Sequence, residues 1–167
     1  HVVRGAEWLP SLPIHVELFE KLGWEPPIYC HTAQLMKIGE DGNKRKLSKR
    51  HDPELSLDYY RRLGYHPATV REYLLTILNS NFEEWMLKFP DKPLDEFKYS
   101  IGKMGKSGAL FDIVKLNDIS KNVISRMTAE QVYDFTLTWA KENGVELITA
   151  EHMQIINDKR AKEKNKK

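Results

Sequence analysis

The stretch Lys46-Leu47-Ser48-Lys49-Arg50 decides how this 167-residue chain is interpreted. Two lysines flank a small hydroxyl residue, and the leucine between them can anchor the segment to a hydrophobic core. This layout predicts a mobile loop that closes on a polyphosphate, because the ammonium groups supply positive charge while Ser48 and the backbone amides supply hydrogen-bond donors. A solvated basic loop is the alternative, and the residues on either side decide between the two.

The residues before this stretch predict an α/β region over residues 1–50. Strand candidates are Val2-Val3, Ile28-Tyr29-Cys30 and residues 35–38, because each is a short run rich in apolar residues next to turn residues. Residues 39–43 contain two glycines and an asparagine, which is typical of a turn leading into the basic run.

A helix is expected over residues 13–22, between the first two strand candidates. Ser11 is its expected N-terminal cap and Gly23 its expected end. Four apolar residues at helical spacing predict its buried side, namely Ile14, Leu18, Phe19 and Leu22.

The residues after the stretch predict a mostly helical region over residues 51–157, followed by a basic tail at 158–167. Ser56 begins a short helix that Gly64 ends, and Pro67 suits the first turn of the next helix. The buried face of that second helix is expected to contain Val70, Tyr73, Leu74, Ile77 and Leu78.

A further helix is predicted over residues 129–142. Thr128 can cap it while Gln131 reaches back, and Asn143-Gly144 should end it. Its inner stripe is expected to contain Val132, Phe135, Thr136 and Trp139. Residues 82–108, with several prolines and glycines, are expected to be irregular.

Composition predicts a globular protein in a reducing compartment. The net charge is only +2, and the positive charge is concentrated locally around the basic stretch, around residues 98–106 and in the tail. Cys30 is the only cysteine, so an internal disulfide is excluded and a cytoplasmic location is expected. No membrane-spanning apolar run is present, so no membrane partner is expected. The chain opens at His1 within an apolar run, which suggests a fragment.

Several segments, in this order and spacing, resemble the class I glutamyl-tRNA synthetases. They are His1-Val2-Val3-Arg4-Gly5-Ala6-Glu7-Trp8, residues 13–27 ending in Leu-Gly-Trp-Glu-Pro-Pro, the basic stretch at 46–50, residues 56–74 and residues 108–116. The basic stretch matches that family's form of the class I lysine-serine-lysine signature. Residues 115–120 differ from the usual family pattern, so the resemblance assigns no RNA contact to residues 117–122.

The resemblance implies a fold and a reaction. Residues 1–50 would be the second half of a Rossmann-type nucleotide-binding domain, and residues 51–157 a helical domain that contacts the tRNA stem. The implied reaction is the ATP-dependent activation of glutamate, followed by its transfer to the 3′ end of tRNA(Glu). Because the family's histidine-rich signature is absent from these residues, the chain alone is expected to form no adenylate.

The resemblance also implies roles for individual residues in substrate binding. Arg4 would hold a carboxylate of glutamate, while Glu7 and Trp8 would lie beside the nucleotide and the tRNA 3′ end. A structural ion pair between Arg4 and Glu7 is the alternative for the first, and ordinary core packing is the alternative for Trp8. Leu35 and Met36 would contact the adenine of ATP.

The basic stretch would provide the catalytic cations. By resemblance, Lys46 and Lys49 would neutralise the departing pyrophosphate, and Ser48 would donate to a phosphate of ATP. The histidines show no helical pairing with carboxylates, so no protein metal site is predicted and Mg²⁺ would be bound together with ATP.

Three other hypotheses remain at this point. A non-catalytic RNA-binding module could be built from residues 51–157. A shortened paralogue of the glutamyl-queuosine type is another possibility, which the intact lysine-serine-lysine stretch disfavours. A glutamine-specific enzyme is disfavoured by Leu47 and by the segment Gly23-Trp24-Glu25-Pro26-Pro27.

Overall fold

A computed structural model describes residues 1–147. The predicted basic tail and residues 148–157 of the predicted helical region lie outside the described residues. The described strands are β1 (Val2–Gly5), β2 (Tyr29–Thr32), β3 (Leu35–Ile38), β4 (Lys44–Lys46) and β5 (Ala109–Leu110). The α-helices are α1 (Leu12–Lys21), α2 (Leu57–Arg62), α3 (Pro67–Leu78), α4 (Phe82–Lys88), α5 (Ile113–Ser125) and α6 (Ala129–Asn143).

The first sheet consists of two parallel strands, β1 and β2. Their register places Val2 beside Tyr29 and Arg4 beside His31. A parallel pair needs a crossover connection, and the segment containing α1 provides it. Both strands confirm the sequence prediction, although β2 begins one residue later than expected.

Helix α1 forms where it was predicted and ends at Gly23, which has the left-handed φ of +68°. Two details of the prediction are wrong. The Ser11 hydroxyl donates to the Trp8 carbonyl at 2.9 Å instead of capping the helix. The expected buried side is largely exposed, with 68% of Ile14 and 54% of Leu18 accessible, because α1 packs chiefly against the preceding 3-10 turn at Ala6–Ser11.

The second sheet has the order β4-β3-β5. Strand β4 pairs antiparallel with β3, and β5 pairs parallel with it. Strand β3 matches its prediction, and the turn before β4 uses Gly42 at a φ of +76°. Strand β4 was expected to be part of the loop, because three consecutive basic residues hide the alternation of a strand.

The hydrophobic core lies between this sheet and the helices. It is built from Leu47, Tyr60, Tyr73, Phe111 and Leu116, all at most 9% exposed. The prediction that the leucine of the basic stretch anchors it to a core is therefore confirmed. This core joins residues on both sides of residue 50.

Helices α2, α3 and α6 confirm their predictions. Helix α3 begins at Pro67, and its predicted face is buried or half-buried. Helix α6 has the predicted capping box, in which Thr128 accepts from the Gln131 amide and Gln131 accepts from the Thr128 amide. It ends at Gly144, which has a φ of +64°.

Helices α4 and α5 were not predicted. Helix α4 lies in the segment expected to be irregular, where Phe82, Trp85 and Phe97 form an aromatic cluster with ring centroids 5.0 to 6.1 Å apart. Helix α5 is capped by Asp112, whose carboxylate accepts from the amides of Val114 and Lys115.

Candidate active site

Arg4 lies at the centre of a polar and aromatic cage in the first sheet. Its Nε donates to Nε2 of His31 at 3.1 Å, and its Nη1 is 3.0 Å from Nδ1 of His15. The guanidinium also stacks over Trp8 and Tyr29, 5.5 and 5.0 Å from the ring centroids. Because a guanidinium only donates, both imidazole nitrogens must be unprotonated acceptors. The cage therefore fixes the direction of the Arg4 side chain.

One nitrogen of Arg4 is left without a partner. Nη2 is buried and makes no hydrogen bond within residues 1–147. A buried, unsatisfied charged donor is costly, and a carboxylate bound at this nitrogen would satisfy it. The described residues contain no ion pair between Arg4 and Glu7, so the structural alternative for Arg4 is not observed. Trp8 is half-exposed, so it is not a core residue.

Glu7 bonds to Gln34, which directly precedes β3, instead. Its carboxylate accepts from Nε2 of Gln34 at 2.9 Å. The hydrogen bond from Gln34, the Glu7 backbone amide and the positive charge of Lys46 all lower the pKa of this carboxyl. The Glu7 carboxylate thus ties the segment after β1 to Gln34, the residue before β3.

Side chains along β3 and β4 alternate between the two faces of the sheet, and this divides the predicted nucleotide-binding residues between those faces. Met36 and Lys46 are directly opposite each other on adjacent strands, so their side chains share one face. Leu35 points to the opposite face, where it packs against the core. The structure thus brings Met36 and Lys46 together and does not bring the Leu35 side chain to them.

The loop after β4 is fixed at Leu47 and exposed on either side of it. Lys46, Lys49 and Arg50 are exposed, and Ser48 is half-buried. The Arg50 amide donates to the Ser48 hydroxyl at 3.4 Å. Among the described residues, neither Lys46 nor Lys49 has an ion-pair partner. Both ammonium groups are therefore available to an anionic ligand.

Asp52 holds the other end of this loop. Its carboxylate, only 1% exposed, accepts two hydrogen bonds of 2.7 Å from Arg45 and one of 2.7 Å from the Ser48 amide. Lys37 lies 3.5 Å away and is also bonded to Glu54 at 2.8 Å. The Arg45 hydrogen bonds, followed by that of the Ser48 amide, hold the pKa of Asp52 well below its usual range.

The sequence analysis missed these supporting residues. The cage around Arg4 forms only when β1 pairs with β2, and the Asp52 cluster forms only when the loop folds back on the β3–β4 hairpin, so neither has a recognisable local motif. The polar residue His31, directly after the strand predicted at residues 28–30, was the available signal for the cage.

Several arginines of the helical region are engaged with carboxylates. Arg61 bonds to Glu142 at 3.0 Å, and Arg71 bonds to Asp95 at 2.8 Å. Lys98, Lys103 and Lys106 are exposed, and the ion pairs of residues 1–147 include none of them. These three lysines are available to an anionic partner.

Neither a candidate metal cluster nor a candidate membrane span occurs in the described part of the chain. Residues 1–147 contain no group of three histidine, cysteine or acidic side chains that could hold a metal ion. None of the helices in this part is both long and apolar enough to span a membrane.

The strand-helix-strand segment bearing Arg4 and the lysine-serine-lysine loop both lie within the match to one known family. A family model described as "tRNA synthetases class I (E and Q), catalytic domain" matches residues 1–88, more than half of the chain. The chain belongs to this family, and its mixed helix and strand content is that of the family's catalytic domain.

The relatives within that family are more specific. The chain is 64% identical over 148 residues to the glutamate–tRNA ligase of Acetivibrio thermocellus, a match that covers 89% of this chain and 27% of the relative. It is 54% identical over 147 residues to the same enzyme of Clostridium perfringens, covering 88% and 27%. The chain thus spans about a quarter of the length of these relatives.

Solved structures agree with the sequence relatives. The glutamate-tRNA synthetase of Elizabethkingia anophelis superimposes with a TM-score of 0.66 at 26% identity, covering 94% of this chain and 34% of that structure. A glutamate tRNA ligase from Elizabethkingia meningosepticum, in complex with its amino acid, gives a TM-score of 0.62 at 25% identity, with the same coverage.

Proposed function

We propose that this chain is part of a glutamate–tRNA ligase, which activates glutamate with ATP and transfers it to the 3′ end of tRNA(Glu). The observation that carries the proposal is the buried Nη2 of Arg4, which has no hydrogen-bond partner within residues 1–147, together with the exposed side chain of Lys46 in the loop. The first offers a carboxylate site and the second offers a phosphate site. Both substrates of an activation reaction are thereby accommodated.

In the activation step, the glutamate α-carboxylate attacks the α-phosphorus of ATP and pyrophosphate leaves. This reaction needs no covalent nucleophile from the protein; it needs aligned reactants and stabilised charge. Arg4 would hold a carboxylate of glutamate through Nη2. Lys46 and Lys49 would neutralise the charge that develops on the departing pyrophosphate.

The nucleotide would lie along the face shared by Met36 and Lys46. Met36 offers an apolar contact for the adenine, and the Ser48 hydroxyl can donate to a phosphate. Leu35 would contact the nucleotide only through its backbone, since its side chain packs against the core. Mg²⁺ would be bound together with the phosphates of ATP, where it would offset their charge.

In the transfer step, a ribose hydroxyl of the tRNA attacks the activated carbonyl. Glu7 and Trp8, beside the Arg4 site, would lie near the 3′ end. Residues 1–50 would form half of a Rossmann-type domain, and the helices after residue 51 would contact the acceptor stem. The exposed lysines Lys98, Lys103 and Lys106 are suited to phosphate contacts.

The alternative hypotheses receive less support. A separate RNA-binding module starting at residue 51 would lose Leu47, one of the buried core residues. A paralogue of the glutamyl-queuosine type is disfavoured by the two free lysines of the loop and by relatives that carry the name glutamate–tRNA ligase.

A chimera tests the proposal directly. Residues of this chain would replace the 148 matching residues of the Acetivibrio thermocellus ligase, and glutamate-dependent pyrophosphate exchange would be measured with tRNA present. We expect an active chimera, in which Lys46→Ala/Lys49→Ala lowers kcat about 100-fold or more, the loss typical of a transition-state contact.

The control is Lys21→Ala/Lys88→Ala, which removes two exposed lysines from other surfaces and should leave the rate unchanged. An inactive chimera that is folded, or a loop variant with a rate within threefold of the parent chimera, would contradict the proposal.

A further inference from the structure

Asp52 neutralises two like charges on the β3–β4 hairpin, which directly precedes the loop. Lys37 and Arg45 are directly opposite each other on β3 and β4, and like charges in that position repel. The Asp52 carboxylate lies between them, 2.7 Å from two nitrogens of Arg45 and 3.5 Å from Nζ of Lys37. Its charge therefore stabilises the strand pair that leads into the loop.

The same carboxylate also fixes the centre of the loop. Oδ2 of Asp52 accepts from the Ser48 amide at 2.7 Å, and the Asp52 amide donates back to the Ser48 carbonyl at 2.8 Å. The peptide groups on both sides of Ser48 are thus bound to one residue. Ser48 lies between the two lysines, so its position sets theirs.

Within residues 1–147, Asp52 pairs with the cations on one face of the hairpin and leaves those on the other face unpaired. Lys37 and Arg45 point to the Asp52 face of the hairpin and are neutralised there, while Lys46 points to the opposite face. Only the second face keeps positive charge that an incoming anion can use.

We propose that Asp52 is a positioning residue, which holds Ser48 and the Arg45 strand so that Lys46 and Lys49 are presented to the polyphosphate. The inference rests on the proposed function, because the lysines need positioning only if a nucleotide reacts beside them. Asp52 itself touches no substrate and acts through the loop.

Amide hydrogen exchange on the full chain tests the anchor itself. In Asp52→Asn, we expect the Ser48 amide to exchange about 10-fold faster or more, because its hydrogen-bond acceptor loses its charge and one of its two oxygens. The Tyr73 amide, in α3, exchanges only on global opening, and its exchange rate should change less. Asp58→Asn is the matched control, since that aspartate is exposed and its one ion pair within residues 1–147 is with Arg62, at 3.7 Å.

A second variant protects the test against misfolding. Arg45→Gln removes the bidentate partner from a half-exposed position and leaves both Asp52 and the loop sequence intact. It should accelerate Ser48 exchange in the same direction by a smaller factor. Equal acceleration at Ser48 and Tyr73 in both variants would show global destabilisation and overturn the proposal.

The catalytic consequence is measured in the chimera. Asp52→Asn should lower kcat for pyrophosphate exchange about 10-fold or more while leaving the KM for glutamate, which is bound at Arg4, within twofold. If Asp52 served general stability alone, kcat per folded molecule and the KM for glutamate would both stay unchanged.

The two proposals fail in different ways. A folded but inactive parent chimera would overturn the proposed function, and with it any part of Asp52 in catalysis, while the exchange experiment would still decide whether Asp52 holds Ser48. An active parent chimera in which Asp52→Asn keeps kcat within threefold would overturn the positioning role alone.

Discussion

The segment that contains β1, α1 and β2 buries none of its residues, whereas the segment from β3 to α6 contains every buried hydrophobic residue of residues 1–147, including Leu47 in the loop between β4 and α2. The candidate glutamate site is in the first segment, and the candidate pyrophosphate site is in a loop attached to the second. Arg4 is consequently held by hydrogen bonds and ring contacts, and the loop is held by the core through Leu47. The two halves of one proposed site thus depend on different kinds of interaction.

The largest effect should come from the same substitution made in each segment. Leu116→Ala removes a side chain with no exposure and should lower the free energy of unfolding by about 2–5 kcal/mol. Leu18→Ala, on the exposed side of α1, should change it by about 0.5 kcal/mol or less. Urea unfolding of the full chain measures both. Equal losses would show that α1 is covered in solution, and the comparison would no longer hold.

A functional substitution should separate binding from stability in the first segment. Arg4→Lys removes the planar fork and its unpartnered nitrogen, so the KM for glutamate of the chimera should rise about 10- to 100-fold. The unfolding midpoint should barely move, since no core residue contacts Arg4. Arg61→Lys, at an exposed ion pair with Glu142, is the matched control. An unchanged KM for glutamate would remove Arg4 from the substrate site.

Two helix caps extend the comparison at a smaller scale. Thr128→Ala breaks the capping box of α6 and should cost about 1 kcal/mol of unfolding free energy. Ser11→Ala should cost far less, because the Ser11 hydroxyl bonds to Trp8 and caps nothing. Thermal unfolding of the two variants decides the matter, and a larger loss in Ser11→Ala would mean that α1 is capped in solution.

The smallest expected effect is a pH dependence centred on His66. Its Nδ1 accepts from the Ala68 amide at 3.2 Å at the start of α3, which requires a neutral ring. Burial lowers the pKa of His66 below the unfolded value of about 6.5. The folded state therefore disfavours the proton, and the contribution is present above pH of about 6.5 and lost as the pH falls through the lower folded value.

The matched variant for this prediction is His66→Asn, which keeps an N-terminal cap but cannot titrate. We expect its unfolding free energy to fall less than that of the unmodified chain between pH 8 and pH 5, values chosen as about 1.5 units on either side of the ordinary histidine pKa. The difference should be below about 1 kcal/mol, the usual scale of a cap. Parallel pH profiles would contradict a role for His66.

The same comparison explains what the sequence could predict. Local signals placed β1, β3, α1, α3 and α6, and Thr128 with Gln131 specified a cap within four residues. Periodicity also identified the apolar side of α1, but it does not say whether another element covers that side, so the predicted burial was wrong. Helix α5 carried an Asp112 cap signal that the sequence analysis did not use.

The candidate site divides along the same line. Lys46, Lys49 and Arg4 belong to contiguous motifs, so they could be proposed from the sequence, and they stay proposals. The partners of Arg4 and the Asp52 cluster could not be found, because Arg4 and His31 are 27 residues apart and meet only through strand register. Strand β4 was hidden because Arg45 and Lys46, though on opposite faces, are both basic.

The anchoring of Leu47 beside Phe111 and Leu116 has a consequence for synthesis. The ribosome makes the basic stretch about 70 residues before it makes the last part of the core that holds it. At about 5–20 residues per second, the nascent loop waits roughly 4–14 seconds for its packing partners. During translation, Leu47 is thus the first residue of this core to be made, and it waits longest for the last core residue to be synthesised.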